Sequence, residues 1–281
     1  MMSYSIQFDR NKWLGSGVLL LPLLLLYLPF LKTLVADWGT NDDYSHGYFI
    51  PFLTAYFIYS IRDELGKIEI KPQNAGLIIL LAGLGQLTVG KIGSEFFLQR
   101  TSLIIVLLGL VLFLLGWQVF KKLFTPIGYL IFMIPLPAII WNKIAFPMQL
   151  FSSYLTEQVV ALLGIPVYRE GNVIHLAQTT LEVVAACSGL RSLVTMFALS
   201  GALAFLSPLP ARKKMLLFVS AAPIAIFANI VRLTATAIMA TKIGADAAQG
   251  FLHEFSGIAV FVLGLGLLVS VNWILGKTTG K

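Results

Sequence analysis

Long apolar runs separated by short polar stretches make up most of the chain. Runs such as VLLLPLLLLYLPFL and SLIIVLLGLVLFLLGW approach the roughly 20 residues that a helix needs to cross the hydrocarbon core of a bilayer. The pattern predicts about eight transmembrane helices, at residues 14–35, 46–61, 74–91, 101–119, 123–141, 188–207, 215–240 and 255–275. Pro135 and Pro137 are expected to bend or break the fifth.

Composition agrees with this interpretation. The chain is 58% hydrophobic and 12% charged, whereas soluble proteins carry about 25% charged residues. We therefore predict an all-α polytopic membrane protein, forming a single integral membrane domain over residues 1–281. The first apolar run is longer than the usual apolar region of a signal peptide, so we interpret it as a retained helix.

The basic residues predict the orientation in the membrane. Placing both termini in the cytoplasm puts 12 of the 20 Lys and Arg residues on the inner side, as the positive-inside rule expects. The segment PLPARKK before the seventh span gives the strongest single signal. The net charge of +7 is thus explained without a nucleic-acid partner.

Two segments of the outer face are longer and more polar than simple connections. Residues 36–51 concentrate acidic residues with Ser45 and His46, and Ser45 can cap the following helix. Both a well-capped polar turn and a functional loop fit this segment.

The second is the connection from about 142 to 187. Its first part has apolar residues at helical spacing, which predicts an interfacial or re-entrant helix. The pieces VIHL and LEVV then predict a short, extended, hairpin-like cover leading to Cys187.

Cys187 is the only cysteine, which excludes an intramolecular disulfide. The predicted boundary places it at the N-terminus of the sixth span, with Ser188 as a possible cap, where the helix dipole favours a thiolate. A lone cysteine is more often a small apolar side chain in a packed interior, but the polar CSG-x-R context, with Arg191 one turn further on, favours a chemical role.

Two more candidate groups lie at the same predicted depth. Arg232 is an ionisable residue inside the seventh span, which by default indicates function, and Asn229 three residues earlier can orient its guanidinium. The alternative is an arginine that snorkels towards the membrane surface. His253 stands where the eighth span begins and can transfer protons near neutral pH. His175 and His46 are on the same predicted side, so composition alone does not choose the histidine.

A thiol, a guanidinium and an imidazole together can perform acyl transfer. We predict an outer-face catalytic region built from about 142–191, 229–232 and 246–257. No metal-binding or phosphate-binding motif is present in the sequence, so neither a metal nor another cofactor is expected.

The segments ACSGLRSL, NIVR and the following His, together with the upstream DDYSHGYFIP, resemble the exosortase/archaeosortase family. The resemblance implies a membrane-embedded cysteine transpeptidase or peptidase in a bacterial inner membrane, with its active site on the outer, periplasmic side. Its substrates would be exported proteins with a C-terminal sorting signal of the PEP-CTERM type, made of a Pro-containing motif, a hydrophobic helix and a basic tail. A thioester acyl-enzyme would pass the protein to an acceptor, which can be a lipid, a glycan or an amine.

Carried over by position, the resemblance makes Cys187, Arg232 and His253 catalytic. Arg191, Asn229 and His46 are candidates for substrate contacts, and the roles of Arg232 and His253 can be exchanged. Many members have an acidic residue two positions before the cysteine, where this chain has Ala185.

Two rival functions remain open at the level of sequence. An intramembrane arginine also suits a transporter or flippase for an anionic substrate. A lipid-modifying acyltransferase would use the same thiol to form a thioester with a lipid acyl chain. The sequence does not specify the sorting motif, the acceptor or the oligomeric state.

Overall fold

The computed structural model describes residues 10–177, 179–183, 189–243 and 251–278, and it describes the side chains of these residues except at 10–20, 243 and 251–256. The described helices are α1 (Arg10–Thr40), α2 (Ile50–Ser60), α3 (Arg62–Leu65), α4 (Ala75–Ile92), α5 (Phe96–Leu115), α6 (Trp117–Gly128), α7 (Ala138–Leu162), α8 (Leu190–Leu206), α9 (Ala211–Ile243) and α10 (Phe251–Lys277). Short 3₁₀ helices span Asp42–Tyr48 and Tyr129–Met133. The chain divides into two compact units, Met1–Pro135 and Leu136–Lys281.

In the first unit, α4 and α5 form a tightly packed hairpin. Three glycines of α4 recur every seven residues on the face towards α5, and one glycine of α5 faces back. We call this set the glycine seam: Gly76, Gly83, Gly90 and Gly109. A Cβ on Gly109 would lie 2.5 Å from the Leu80 backbone nitrogen, and one on Gly83 would lie 2.7 Å from the Val106 Cγ2. Glycine is therefore required there, because the two helices touch at their backbones.

In the second unit, three short strands lie between α7 and α8. They are β1 (Val167–Glu170), β2 (Val173–Leu176) and β3 (Thr180–Glu182), and they form an antiparallel sheet in the order β1-β2-β3. Val167 pairs with Leu176, and Val173 pairs with Glu182. This sheet occupies the segment for which the sequence predicts an extended cover, and its place on the outer face stays a prediction.

One face of the sheet packs on the neighbouring helices. Ile174 and Leu176 of β2 join Val160 of α7 and Leu233 of α9 in one hydrophobic cluster. The side chains of β2 alternate between buried and half-buried, as a strand with one covered face requires.

Helix α7 buries its serine and threonine side chains and exposes several apolar ones. Ser152, Ser153 and Thr156 are 2%, 0% and 0% exposed, whereas Phe146 and Phe151 are 58% and 49% exposed. The buried hydroxyls face the interior of the second unit, where the Asn229 Nδ2 donates a hydrogen bond to the Ser152 Oγ (3.3 Å). We call Ser152, Ser153, Thr156 and Asn229 the polar seam. Polar contacts of this kind join helices whose other faces meet lipid.

Five of the eight predicted spans coincide with helices long and apolar enough to cross a membrane, among the residues that the structure describes. These are Leu21–Thr40, Ala75–Ile92, Phe96–Leu115, Ala211–Lys242 and Gly257–Lys277, and a sixth is reached if Trp117–Met133 and Ala138–Leu162 count as one broken span. The chain is thus a helical, multi-pass membrane protein. The orientation with both termini inside stays a prediction.

The other three predicted spans differ from continuous transmembrane helices in distinct ways. Residues 46–61 form part of a 3₁₀ turn followed by α2, whose 11 residues extend only about 16 Å. Residues 123–141 are interrupted between the 3₁₀ helix and α7, where Pro135 and Pro137 cannot continue a helix. Helix α8 covers 188–207 almost fully but contains only 17 residues.

The capping predicted for residue 45 is wrong. Helix α1 continues to Thr40, so the polar loop is shorter than expected, and Asn41 caps the 3₁₀ helix by accepting a hydrogen bond from the Asp43 N–H (3.0 Å). Ser45 instead donates to the Asp42 carbonyl oxygen (3.0 Å). Helix α2 begins after Phe49, which makes no side-chain cap.

Candidate active site

The positions of the candidate residues along α8, α9 and α10 can be compared because these three helices touch one another at one point along their lengths. A Cβ on Gly264 of α10 would lie 2.6 Å from the Met196 Cε of α8 and 3.9 Å from the Ile224 Cγ2 of α9. The short loop between α8 and α9 makes these two helices antiparallel. The start of α8 therefore lies at the same end as the last turns of α9.

Seven residues of sequence separate α9 from α10, and a connection of this length also favours an antiparallel pair, so α10 is taken to begin at this same end. Measured from the point at which the three helices touch, the candidate positions then lie towards that end by similar distances. At 1.5 Å per residue, Gly189 at the start of α8 is about 10 Å away, Arg232 about 12 Å and His253 about 16 Å. For helices that run along a common axis, the backbones of Arg232 and His253 would therefore lie within about 5 Å of each other along that axis. The His253 side chain lies outside the described residues.

Cys187 also lies outside the described residues, but the residues on both sides of it are described. On one side, Val183 is 1% exposed and belongs to the same hydrophobic cluster as Leu233. On the other side, Gly189 packs on Asn229, since a Cβ on Gly189 would lie 2.9 Å from the Asn229 Cγ. Both flanks of the cysteine thus approach the part of α9 that carries Arg232.

Helix α8 begins two residues later than the sequence predicts. Gly189 occupies the cap position with φ +84°, and Leu190 is the first helical residue. Ser188, the predicted cap, is one residue earlier and outside the described residues. Arg191 lies in the first turn and is half-buried. The first backbone N–H groups of a helix have no partner within that helix, so this end of α8 favours negative charge.

Asn229 and Arg232 are one turn apart on α9. Arg232 is half-buried, while Asn229 is 1% exposed. The sequence predicts that Asn229 orients the guanidinium of Arg232. The structure adds a different contact, since the Asn229 carboxamide donates to Ser152 and lies against Gly189.

The three histidines occupy different environments. His175 is on β2, stacked on Tyr168 with ring centroids 5.8 Å apart. Because Ile174 and Leu176 face the core cluster, His175 points to the opposite face of the sheet. His46 belongs to the first unit, where its Nε2 lies 3.1 Å from the Phe132 carbonyl oxygen. Burial lowers the pKa of His46 below its ordinary value.

The comparison with protein families decides the identity of the chain. A family model described as transmembrane exosortase (Exosortase_EpsH) matches residues 38–270. The chain belongs to the transmembrane exosortase family. No curated protein and no solved structure matches it. The matched region includes every candidate site residue, and it excludes only residues 1–37 and 271–281.

Membership in the exosortase family implies a transpeptidase-type membrane enzyme that acts on proteins with C-terminal sorting signals. It does not by itself assign roles to Cys187, Arg232 or His253. These assignments remain predictions that rest on the position of each residue.

Sequence reasoning missed two residues that the structure brings into this region, Ser152 and Gly189. Gly189 is within the quoted CSG motif, but its left-handed conformation is visible only in three dimensions. Ser152 has a weak signal in the sequence, because residues 149, 152, 153 and 156 are all polar and fall on one helical face.

Proposed function

We propose that this exosortase is a cysteine transpeptidase that cleaves the C-terminal sorting signal of exported proteins through a thioester acyl-enzyme. One observation supports it most strongly. Both chain segments that flank Cys187 approach one part of α9, which carries Arg232, and the start of α10 with His253 is at a similar level.

In the proposed reaction, the Cys187 thiolate attacks the carbonyl carbon of the scissile peptide bond. The C–N bond breaks, a proton from the imidazolium of His253 goes to the leaving amine, and the acyl group remains on sulfur as a thioester. An acceptor amine then attacks the thioester, loses its proton to His253 and releases the thiolate. Hydrolysis follows the same course with water as the acceptor.

Arg232 is proposed to stabilise the negative charge that develops on the carbonyl oxygen or on the thiolate. Its planar guanidinium presents several N–H donors in a fixed geometry, which suits an oxyanion better than a lysine does. The backbone N–H groups at the start of α8 provide further donors of the same kind. The roles of Arg232 and His253 can also be exchanged.

The family and the charge pattern support a proposal for the cellular setting. The enzyme is proposed to lie in a bacterial cytoplasmic membrane with the start of α8 on the outer side, where exported substrates arrive. The substrate's signal would contain a short Pro-containing motif of the PEP-CTERM type, a hydrophobic helix and a basic tail. Its helix would lie in the membrane beside the enzyme.

The central experiment co-expresses the protein with an exported substrate that carries such a signal. The wild type is expected to remove the tail, and Cys187→Ala is expected to leave it attached. Equal removal by both would overturn the proposal. Mass spectrometry of the trapped enzyme then identifies the acyl group on Cys187: a peptide acyl group supports the proposal, and a lipid acyl chain indicates a lipid acyltransferase.

Matched substitutions test the two partners of the thiol. Arg232→Lys keeps the charge but loses the planar donors, and it is compared with Arg212→Lys, an exposed residue of the same helix. His253→Ala is compared with His175→Ala, which points away from α9. Loss of cleavage is expected only for Arg232→Lys and His253→Ala, and loss with the control of either pair would contradict the assignment.

A further inference from the structure

One end of the hairpin of α4 and α5 carries charged and aromatic side chains that the proposed reaction does not use. The start of α4 and the end of α5 lie together, because Gly76 packs against the backbone of Phe113. Beyond the helices, Lys71 and Gly116 extend this contact by forming an isolated β-bridge. The chain before α4 and the chain after α5 therefore lie side by side, at the end of two helices long and apolar enough to cross a membrane.

Basic residues outnumber acidic ones at this end. Residues 59–71 and 116–122 contain five basic and three acidic side chains. Each acid pairs with one cation, in the ion pairs Lys122–Glu64, Lys71–Glu69 and Arg62–Asp63. Lys67 and Lys121 remain, and neither forms an ion pair with any residue that the structure describes. We call the five cations the basic end: Arg62, Lys67, Lys71, Lys121 and Lys122.

The two lysines without an ion pair belong to one surface. Lys121 and Lys122 are neighbours on α6, and Lys122 binds the Glu64 carboxylate. Lys122 thereby lowers the pKa of Glu64, and Lys67 adds a smaller effect of the same sign. Lys67 and Lys122 therefore lie near the same carboxylate, with Lys121 next to them. All five cations of the basic end are exposed.

Two of these cations lie over exposed aromatic rings. The Arg62 guanidinium carbon is 3.9 Å from the ring centroid of Tyr59, and the Lys121 Nζ is 5.3 Å from that of Trp117. Tyr59 and Trp117 are 58% and 46% exposed. Exposed tyrosine and tryptophan rings near the ends of membrane helices lie at the level of the lipid headgroups. The cations over these rings are therefore at the level of the lipid phosphates.

The opposite end of the same hairpin has a different arrangement. Arg100 of α5 is 6% exposed, and its guanidinium binds the Asp37 carboxylate of α1 (2.6 Å). This buried ion pair connects two helices. The ion pairs of the basic end are all exposed, and exposed ion pairs add little to stability. Cations that are held at a surface with so little gain in stability indicate a partner outside the chain.

We propose that the basic end binds the headgroup of an anionic phospholipid. The lipid phosphate contacts Lys67 and Lys121, whose charges no acid of this end neutralises, and Tyr59 and Trp117 contact the glycerol region. An anionic lipid fits because lipids are the neighbours of a membrane protein at this level, and because each Lys or Arg near an anionic lipid surface favours binding. The inference goes beyond the proposed function and is independent of it, since no residue of the candidate active site takes part.

The test measures lipid binding by the purified full chain in a neutral detergent. Native mass spectrometry counts the lipids that stay bound as phosphatidylglycerol or, separately, phosphatidylcholine is added. The wild type is expected to bind phosphatidylglycerol more tightly than phosphatidylcholine. The double variant Lys67→Gln with Lys121→Gln is expected to weaken the binding of phosphatidylglycerol about fivefold for each charge removed, and to bind phosphatidylcholine like the wild type.

The double variant Lys32→Gln with Lys91→Gln is the matched control. Both lysines are exposed, and they lie towards the other end of the first unit, on α1 and in the last turn of α4. The control removes the same net charge from a different place, so it is expected to bind phosphatidylglycerol like the wild type. Lys67→Arg with Lys121→Arg keeps both charges and is also expected to preserve binding.

Several results would overturn the inference. The wild type could bind both lipids equally, or the Lys67 and Lys121 glutamine variant could bind phosphatidylglycerol like the wild type. Equal weakening by the Lys32 and Lys91 control would show an effect of net charge alone. Displacement of the lipid by inorganic phosphate at equal concentration would identify a site for the free anion instead. If the double glutamine variant does not fold in detergent, the two single variants are measured, and unchanged affinity in both overturns the inference.

Discussion

Helices α4 and α5 of the first unit touch through glycines, whereas α7 and α9 of the second unit touch through hydroxyl and carboxamide side chains. The glycine seam lets two backbones approach closely and gains stability from many small contacts. The polar seam depends on a few directional bonds, which fix the rotation of side chains as well as the distance between helices. The glycine contacts suit a pair of helices that stay at a fixed distance. The polar contacts suit a region in which the orientation of individual side chains matters.

The largest expected effect on stability comes from a substitution in the glycine seam. Gly109→Ala places a methyl group 2.5 Å from the Leu80 backbone nitrogen, so the helices must separate, and we expect a loss of about 1–3 kcal/mol in the free energy of unfolding. Gly85→Ala on α4 meets nothing within 4 Å and is expected to stabilise by up to about 1 kcal/mol. Unfolding in detergent measures both, and effects of the same sign would contradict this account.

The second effect tests the contact between the start of α8 and the polar seam. Gly189→Ala and Gly164→Ala both replace a glycine at positive φ, at +84° and +76°, so each is strained by about 1–2 kcal/mol. Only Gly189 has a neighbour in the space of the new methyl group, namely Asn229. We expect Gly189→Ala to cost about 1 kcal/mol more and to reduce cleavage. Equal losses of stability and activity would disprove the contact.

A third, smaller effect sharpens the description of the polar seam. The Thr156 Oγ1 is buried without a hydrogen-bond partner among the described residues, so Thr156→Val keeps its shape and is expected to be neutral or to stabilise by up to about 1 kcal/mol. Ser153→Ala breaks a bond to the sheet and is expected to destabilise by about 1 kcal/mol. Thermal unfolding of the two variants distinguishes these cases, and similar losses in both would show that Thr156 is bonded.

The smallest effect concerns the polar loop of the first unit. Burial lowers the pKa of His46 from its ordinary 6.5, so the folded protein keeps this imidazole neutral at pH values where the unfolded chain is already protonated. The unfolded state then binds more protons, and stability falls as the pH decreases below about 6.5, until the pH passes the folded pKa. His46→Gln is expected to reduce this dependence. An NMR titration of His46 with a midpoint at or above 6.5 would refute it.

The sequence predicts those helices whose bounds depend only on neighbouring residues. Helices α4, α5, α9 and α10 follow from uninterrupted apolar runs, and the interruption before α7 follows from two prolines. The short α2 could not be predicted, because the apolar residues Tyr48 and Phe49 continue its pattern before the point at which the helix begins. On α7, Ser152 is bonded to Asn229, 77 residues away, and no local pattern shows which helix face such a partner will cover.

The same division applies to the candidate site. The predicted spans place Arg232 and His253 at a similar depth, since each helical residue adds a fixed rise, and this depth stays a prediction. The partners of a side chain depend on how helices pack, and so the contacts of Asn229 with Ser152 and Gly189 were not predicted. His46 was expected to contact substrate, whereas the structure gives its ring a backbone carbonyl as partner. Its role towards substrate stays a prediction.

The length of α8 has a consequence for the lipid around the enzyme. Its 17 residues extend about 25 Å, whereas the hydrocarbon core of a typical bilayer is about 30 Å thick. A helix of this length that crosses the membrane leaves about 5 Å of hydrocarbon uncovered, and a bilayer responds to such a mismatch by thinning locally. The acyl chains of the host membrane thereby help to determine how far the start of α8, and Gly189 with it, lies below the lipid headgroups.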